Sequence, residues 1–268
     1  VHLSYQRIED PSISLNIFLR DFVIFKREID FPHNKSRVIT PNGKSMIESD
    51  DYLSDLSAWD TKTGSVRLPP YDHAMLFTRH DMYEEATKDS VGGYSTIGGI
   101  CILGRKISII RHRGYFRTVS TAAHELGHNL GAVHDGEGEA ISCSSSDFFI
   151  LSEKEIQFSP DKTYSRNPWL FSNCSVESFK KTLKHRNCAK NKGVFYDETE
   201  LTMFMKTMPG LHYTNDRQCE LIRGRGSTYC QAAPEQICSF MTCRNPLTGR
   251  CLKTYYSAAR GTSCGYKK

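Results

Sequence analysis

Hydrophobic and polar positions change their period several times along this chain. Ile13, Leu15 and Ile17 alternate with polar residues, the two-residue period of a half-buried strand, and RDFVIF (residues 20–25) reads as a second strand after it. Leu53, Leu56 and Trp59 then recur at helical spacing behind Glu48, Asp50 and Asp51, an acidic run that suits a helix N-terminus. HAMLFT (73–78), IGGICI (97–102) and KISIIRH (106–112) are short apolar runs that read as three further strands. A helix through residues 119–130 follows, and SVESFKKTLKHR (175–186) makes a last amphipathic helix. The order predicts a mixed α/β fold.

Cysteine density refines this into two units. Residues 1–190 hold Cys101, Cys143, Cys174 and Cys188, whereas 219–264 hold Cys219, Cys230, Cys238, Cys243, Cys251 and Cys264. Between them runs KGVFYDETELTMFMKTMPG, which ends in a Pro-Gly breaker and places a boundary near residue 195. Ten cysteines, an even number, favour a disulfide framework and an oxidising, extracellular compartment. Four cysteines allow three pairings and six allow fifteen. The sequons at Asn34 and Asn173 agree with that compartment.

The chain of 268 residues has a net charge of +5, spread along its length, which argues against nucleic acid as a partner. RKISIIRHRGYFR (105–117) is locally basic and reads first as a solvated edge, with acidic proteins or glycosaminoglycans as the alternative contact. The longest apolar stretch, 15–25, is broken by Arg20 and Asp21, so no span of a bilayer is expected. The opening VHLSYQRIED has neither an initiator Met nor a signal-peptide core, and is read as the start of a processed or truncated product.

The chemistry concentrates in HELGHNLGAVHD, residues 124–135. On a helix, four residues at about 100° each bring His124 and His128 to one face, one turn apart. Val119, Ala122, Ala123, Leu126 and Leu130 fall largely on the other side and are expected to pack. Gly131 permits a positive φ that ends the helix and lets His134 swing back as a third ligand. Three imidazoles leave a tetrahedral Zn2+ one open position, and Glu125 beside the first of them is the natural proton shuttle. The plain alternative is a surface helix with incidental histidines, which the full string in register argues against. A structural zinc site would fill its fourth position with Cys and have no use for Glu125.

HExxHxxGxxH followed by Asp135 resembles the metzincin signature in its adamalysin, or reprolysin, branch of ADAM- and ADAM-TS-type proteases. YDHAMLFTRHD (71–81), GGICILG (98–104), TAAHELGHNLGAVHD (121–135) and FSNCS (171–175) are similar to family segments in the expected order. The resemblance implies a zincin-like α/β catalytic domain over residues 1–195, with a twisted mixed sheet and an active-site helix. It makes His124, His128 and His134 the zinc ligands, Glu125 the general base and Asp135 a buried polar anchor. Ile97, Gly98, Gly99 and Ile100 would lie on the edge strand that aligns an extended substrate. Implied bridges are Cys101 to Cys188 and Cys143 to Cys174. A Ca2+ site would map to the Asp72 side chain, the Cys188 carbonyl and the Asn191 side chain, although an acidic ligand near the family's N-terminus has no counterpart here.

Two departures from the family pattern stand out. Leu151 occupies the position of the methionine in the family's turn beneath the metal, a near-isosteric change expected to cost less than about 1.5 kcal/mol and to leave zinc in place. Met241, among the crowded C-terminal cysteines, is not a credible substitute. VHLSYQRIEDPSISLNI resembles the end of the family's first helix and the strand after it, so an opening strand and most of that helix are expected to be absent, as from a fragment.

Residues 196–268 resemble a linker and the cysteine-rich, disintegrin-like module of ADAM-TS-type proteases, with GTSCGYKK stopping where related sequences continue. No Arg-Gly-Asp tripeptide occurs. The chain is also similar to salivary-gland metalloproteases of blood-feeding ticks, which would imply fibrinogen, fibrin and matrix proteins as substrates. The resulting expectation is a secreted, monomeric zinc metalloendopeptidase. Its rival is a non-catalytic scaffold that binds through the cysteine-rich module, and intact Glu125 with all three histidines distinguishes the first from the second.

Overall fold

The computed structural model describes residues 1–26, 38–40, 43–64, 70–112, 116–153, 167–190, 199, 207–231, 237, 240–254 and 257–263. Contacts divide the chain into two units, one of residues 1–113, 118–154 and 166–194, the other of 114–117, 155–165 and 195–268. Asn34, Asn191, Cys238 and Cys264 lie outside the described residues.

In the first unit, the described strands form two sheets. Strands β1 (Val38–Ile39), β2 (Met46–Glu48), β4 (Asp81–Tyr83) and β5 (Ser90–Val91) lie side by side in the order β1-β2-β4-β5, with β2 and β4 parallel. Strands β3 (Ala74–Thr78), β7 (Ile107–Arg111) and β6 (Gly93–Ser95) form the other sheet in the order β3-β7-β6, parallel across β3 and β7 and antiparallel across β7 and β6. Every residue of β7 is buried, as befits a central strand covered on both faces.

Helix α1 (His2–Tyr5) is one short turn, and α2 (Ser49–Trp59) begins where sequence logic puts it. The Glu48 carboxylate caps it by accepting from Asp51 N at 2.7 Å. Tyr52, Leu53 and Leu56 then bury one stripe against Ile47, Met82, Ile107 and Ile109, forming one core. A second core gathers Ala123 and Leu126 from helix α3 (Arg117–Asn129) and Leu130 just beyond it with Val176 and Phe179 from helix α4 (Asn173–Leu183), together with Tyr5, Leu151 and Phe171. Helix α4 starts at Ser172, whose hydroxyl accepts from Ser175 N.

Two sequence-based strands do not form. Ile13, Leu15 and Ile17 do alternate half-buried with exposed neighbours and pack on the second core, but no strand flanks them among the described residues. Alternation reports which face a side chain takes; a strand also needs an adjacent edge to supply its ladder. Residues 20–25 likewise form no strand, and Phe22, Val23 and Ile24 are exposed.

Among the described residues of the basic run, Arg105 and His112 are exposed, as a solvated edge would have them, whereas Arg111 and Lys106 are fixed internally. Arg111 is buried and pairs with Asp81 while donating to Ser90 Oγ at 2.7 Å. Lys106 lies over the Tyr71 ring and donates to Tyr71 O at 2.9 Å.

The second unit contains helices α5 (Pro209–His212) and α6 (Asn215–Arg223) and an antiparallel hairpin of β8 (Thr242–Arg244) and β9 (Cys251–Lys253). Disulfides Cys219–Cys243 and Cys230–Cys251 staple it around Cys219, Ile237, Met241 and Cys243, a core too small to suffice alone. Met241 therefore belongs to this module. Among the described residues, no helix is long and apolar enough to cross a membrane.

Candidate metal centre

Helix α3 positions the first two histidines. Ala123, Leu126 and Leu130 face the core, whereas Val119, which the helical pattern assigns to that face, is exposed on the first turn. The helix closes in a Schellman motif: Ala132 N donates to Gly127 O at 3.1 Å, Gly131 N to His128 O at 2.8 Å, and Gly131 takes φ +104°. A residue with a Cβ would be strained there and would press on Thr182, 3.1 Å from its Cβ. The reversal carries His134 back to the helix.

Three imidazoles meet as a result. His124 Nε2 is 2.9 Å from His128 Nε2 and 3.2 Å from His134 Nε2. A tetrahedral zinc with Zn–N near 2.0–2.1 Å sets its nitrogens about 3.3 Å apart, so the triangle needs only small expansion to fit that ion. The far side of two rings is fixed by main chain. His124 Nδ1 donates to Ile150 O at 2.7 Å and His128 Nδ1 to Ala132 O at 2.8 Å, which leaves the Nε2 lone pairs turned inward. Burial, then the neighbouring rings, hold His124 well below the usual histidine range, and burial followed by His134 lowers His128 to about 4. Both are neutral donors at neutral pH.

Glu125 is buried at 4% exposure, and burial pushes its carboxyl up to about 8. β6 runs beside it at the open edge of its sheet. At Gly93 an added Cβ would fall on the Glu125 side chain, 2.6 Å from Cγ and 2.7 Å from Cδ, so only glycine lets this strand pass so close to the carboxylate.

Beneath the helix sits Leu151, fully buried. Asp135 is 1% exposed; its main-chain N donates to Leu151 O at 3.0 Å and its Oδ1 accepts from Ser172 Oγ at 2.5 Å. Burial raises its pKa, partly offset by that hydroxyl. Because Ser172 also caps α4, Asp135 ties the floor of the centre to the start of that helix.

Residues 97–102 are not a strand. They form turns, with Gly98 at φ +66°, and two of their amides are spent on the helix: Gly98 N donates to His128 O at 2.9 Å and Ile100 N to Asn129 O at 3.1 Å. Both carbonyls belong to the last turn of α3, and His128 O, which already accepts from Gly131 N, takes a second donor here. The segment from Ile97 through Gly98, Gly99 and Ile100 caps the helix, and among the described strands it is β6 that forms the sheet edge beside Glu125.

Asn129 completes this end of the helix. Its Nδ2 donates to Thr96 O and to Arg105 O, each at 2.9 Å, while His73 Nδ1 lies 2.9 Å from its Oδ1 and His73 Nε2 lies 2.9 Å from Ser108 Oγ.

Disulfides join Cys101 to Cys188 and Cys143 to Cys174. The carboxylate of Asp72 lies near the first of these; the expected Ca2+ ligand at Cys188 is its carbonyl and not its sulfur, and Asn191 is outside the described residues. Burial raises the pKa of Asp72.

Motif reading passed over Gly93 and Glu137. The signal for Gly93 was a Gly-Gly pair before the apolar run; the signal for Glu137 was a second glycine, Gly136, two residues after the third histidine.

Known proteins match both units. A model of the Reprolysin (M12B) family zinc metalloproteases matches residues 44–192, and a model of the ADAMTS cysteine-rich domain 2 matches residues 209–268. A Bombyx mori protein described as "A disintegrin and metalloproteinase with thrombospondin motifs like" is 28% identical over 99% of this chain and 38% of its own length. Human "A disintegrin and metalloproteinase with thrombospondin motifs 20" is 27% identical over 96% of this chain and 13% of its own length. Human "A disintegrin and metalloproteinase with thrombospondin motifs 4" is 30% identical over 73% of this chain and 22% of its own length. The chain thus spans well under half the length of each of these relatives. The first unit's α/β architecture, its helix of converging histidines and the family match over more than half the residues agree: the chain belongs to the reprolysin (M12B) family of zinc metalloproteases.

Proposed function

We propose that this chain is a secreted metalloendopeptidase that cuts extracellular proteins, holding zinc through His124, His128 and His134 and using Glu125 as its general base. The observation that carries the reading is the convergence of three imidazoles, with His124 Nε2 2.9 Å from His128 Nε2 and 3.2 Å from His134 Nε2, beside a buried carboxylate. Zinc in such a site supplies Lewis acidity, polarising a peptide carbonyl and acidifying a water.

The chain's own residues supply the rest. Glu125 takes a proton from the attacking water and returns it to the leaving amine. Its burial keeps competing water away, and a cation held by the three histidines would favour its charged form. The edge strand β6 offers main-chain donors and acceptors to an extended substrate, with Gly93 leaving room for Glu125 beneath. Four disulfides among the described residues support an oxidising, extracellular setting. Fibrin(ogen) and matrix proteins are the substrates we propose to test first.

The test compares the protein with its Glu125→Ala variant on fibrinogen and gelatin, with and without a chelator. Cleavage that chelation and Glu125→Ala both abolish is expected; equal cleavage by parent and variant would overturn the reading.

A further inference from the structure

Each histidine of the centre has a second nitrogen, and the three are not treated alike. His124 Nδ1 and His128 Nδ1 donate to the main-chain carbonyls of Ile150 and Ala132. His134 Nδ1 instead faces a side chain, the Glu137 carboxylate, with Oε2 at 3.5 Å. A main-chain carbonyl is neutral and present whatever the sequence; a carboxylate carries charge and can be lost by one substitution.

The backbone brings that carboxylate back deliberately. Gly136 takes φ +94°, a left-handed conformation open to glycine, and Glu137 N donates to His134 O at 3.1 Å, so the chain reverses within one turn. Gly136 N donates to Ala140 O at 3.0 Å, which holds the far side of the reversal. The neighbouring acid, Glu139, is engaged with Lys181 at 2.8 Å. Glu153 brings a second carboxylate to the same corner, within 4.8 Å of a His134 ring nitrogen and of the Glu137 carboxylate.

We infer that Glu137 is a positioning residue for the metal centre: its carboxylate holds the hydrogen of His134 on Nδ1, turns the Nε2 lone pair toward the other two histidines and makes that nitrogen a stronger donor. The inference rests on the proposed zinc site. A carboxylate behind a ligating imidazole raises ligand basicity and fixes ring orientation, and its removal typically weakens metal affinity by about ten- to a hundredfold. His134 needs such help more than the others, because it comes from a loop and not from the helix.

Zinc affinity of the full chain is measured by competition with a chelating dye for the parent, Glu137→Ala, Glu137→Gln and Glu139→Gln. The visible spectrum of the cobalt-substituted forms is recorded alongside. Glu137→Ala is expected to raise the zinc Kd by about ten- to a hundredfold and to shift the cobalt bands, whereas turnover at saturating zinc falls less than affinity does. Glu137→Gln, which keeps an acceptor without the charge, falls between. Glu139→Gln removes an equal charge two residues away and is expected to match the parent. Glu137→Ala within twofold of the parent, or Glu137→Ala and Glu139→Gln weakened equally, would overturn the inference. A parent that binds no stoichiometric zinc would instead overturn the protease reading itself.

Discussion

Leu151 fills the space that a side chain on Gly127 would need. A Cβ built on Gly127 would come within 2.8 Å of Leu151 Cδ2 and 3.3 Å of Phe171 Cε1, so the absence of a side chain just before His128 lets the floor rise against the helix. Gly127→Ala should therefore destabilise, by about 1–3 kcal/mol, even though alanine is the better helix former. Leu151→Ala should cost about 2–5 kcal/mol through the cavity it leaves. Made together, the two changes should cost less than their sum, because the cavity accommodates the new methyl. A urea-denaturation double-mutant cycle checks this, and strict additivity would contradict the contact. Leu151→Met should change stability by less than about 1.5 kcal/mol and leave zinc content unaltered.

Gly93→Ala addresses the carboxylate instead of the fold. The new methyl meets the flexible end of Glu125, which can move aside at little cost in stability. Displacing a proton-transfer group by about 1 Å is expected to lower kcat by about a hundredfold. Thermal midpoint and zinc content should stay close to the parent values. A loss of zinc together with activity would show that the methyl disturbs the histidines.

His73 sets an acid limit on the first unit. Burial lowers it to about 4, with the Asn129 hydrogen bond working weakly the other way. Its folded pKa is depressed below the ordinary 6.5, so the unfolded chain binds the proton first as pH falls, and stability present above pH 6.5 is lost on the way down to pH 4. The shift of about 2.5 units corresponds to about 3 kcal/mol. His73→Leu should flatten the dependence of unfolding free energy on pH between 6.5 and 4 while lowering stability at pH 7. An unchanged slope would show that His73 is not the group responsible.

The Cys101–Cys188 bridge closes a loop 87 residues apart in sequence and anchors the turn that caps α3. Replacing both cysteines by serine should cost about 4–5 kcal/mol by loop entropy, against about 3–4 kcal/mol for Cys143 and Cys174, which lie 31 apart. Thermal unfolding of the two double variants should rank them in that order.

Local geometry explains which parts were legible beforehand. His124 and His128 sit one turn apart because every helix places i and i+4 so, and the Gly131 reversal is a property of one residue's φ. Helix α2 was equally readable from its acidic start and its apolar stripe. The failures came where partners decide. IGGICI has the composition of a strand, yet the amides of Gly98 and Ile100 donate to carbonyls in the last turn of α3 and not to a neighbouring strand. Ile13, Leu15 and Ile17 alternate as a strand would, but no strand edge lies beside them among the described residues. The nearness of Gly93 to Glu125 depends on strand order, which no local pattern encodes.

The carbonyls behind His124 and His128 have an evolutionary reading. Main-chain oxygens survive nearly every substitution, so two of the three rings are insulated from drift in the side chains around them. On the role proposed for Glu137, the corner it forms with His134 is where a single substitution would adjust the grip on the metal.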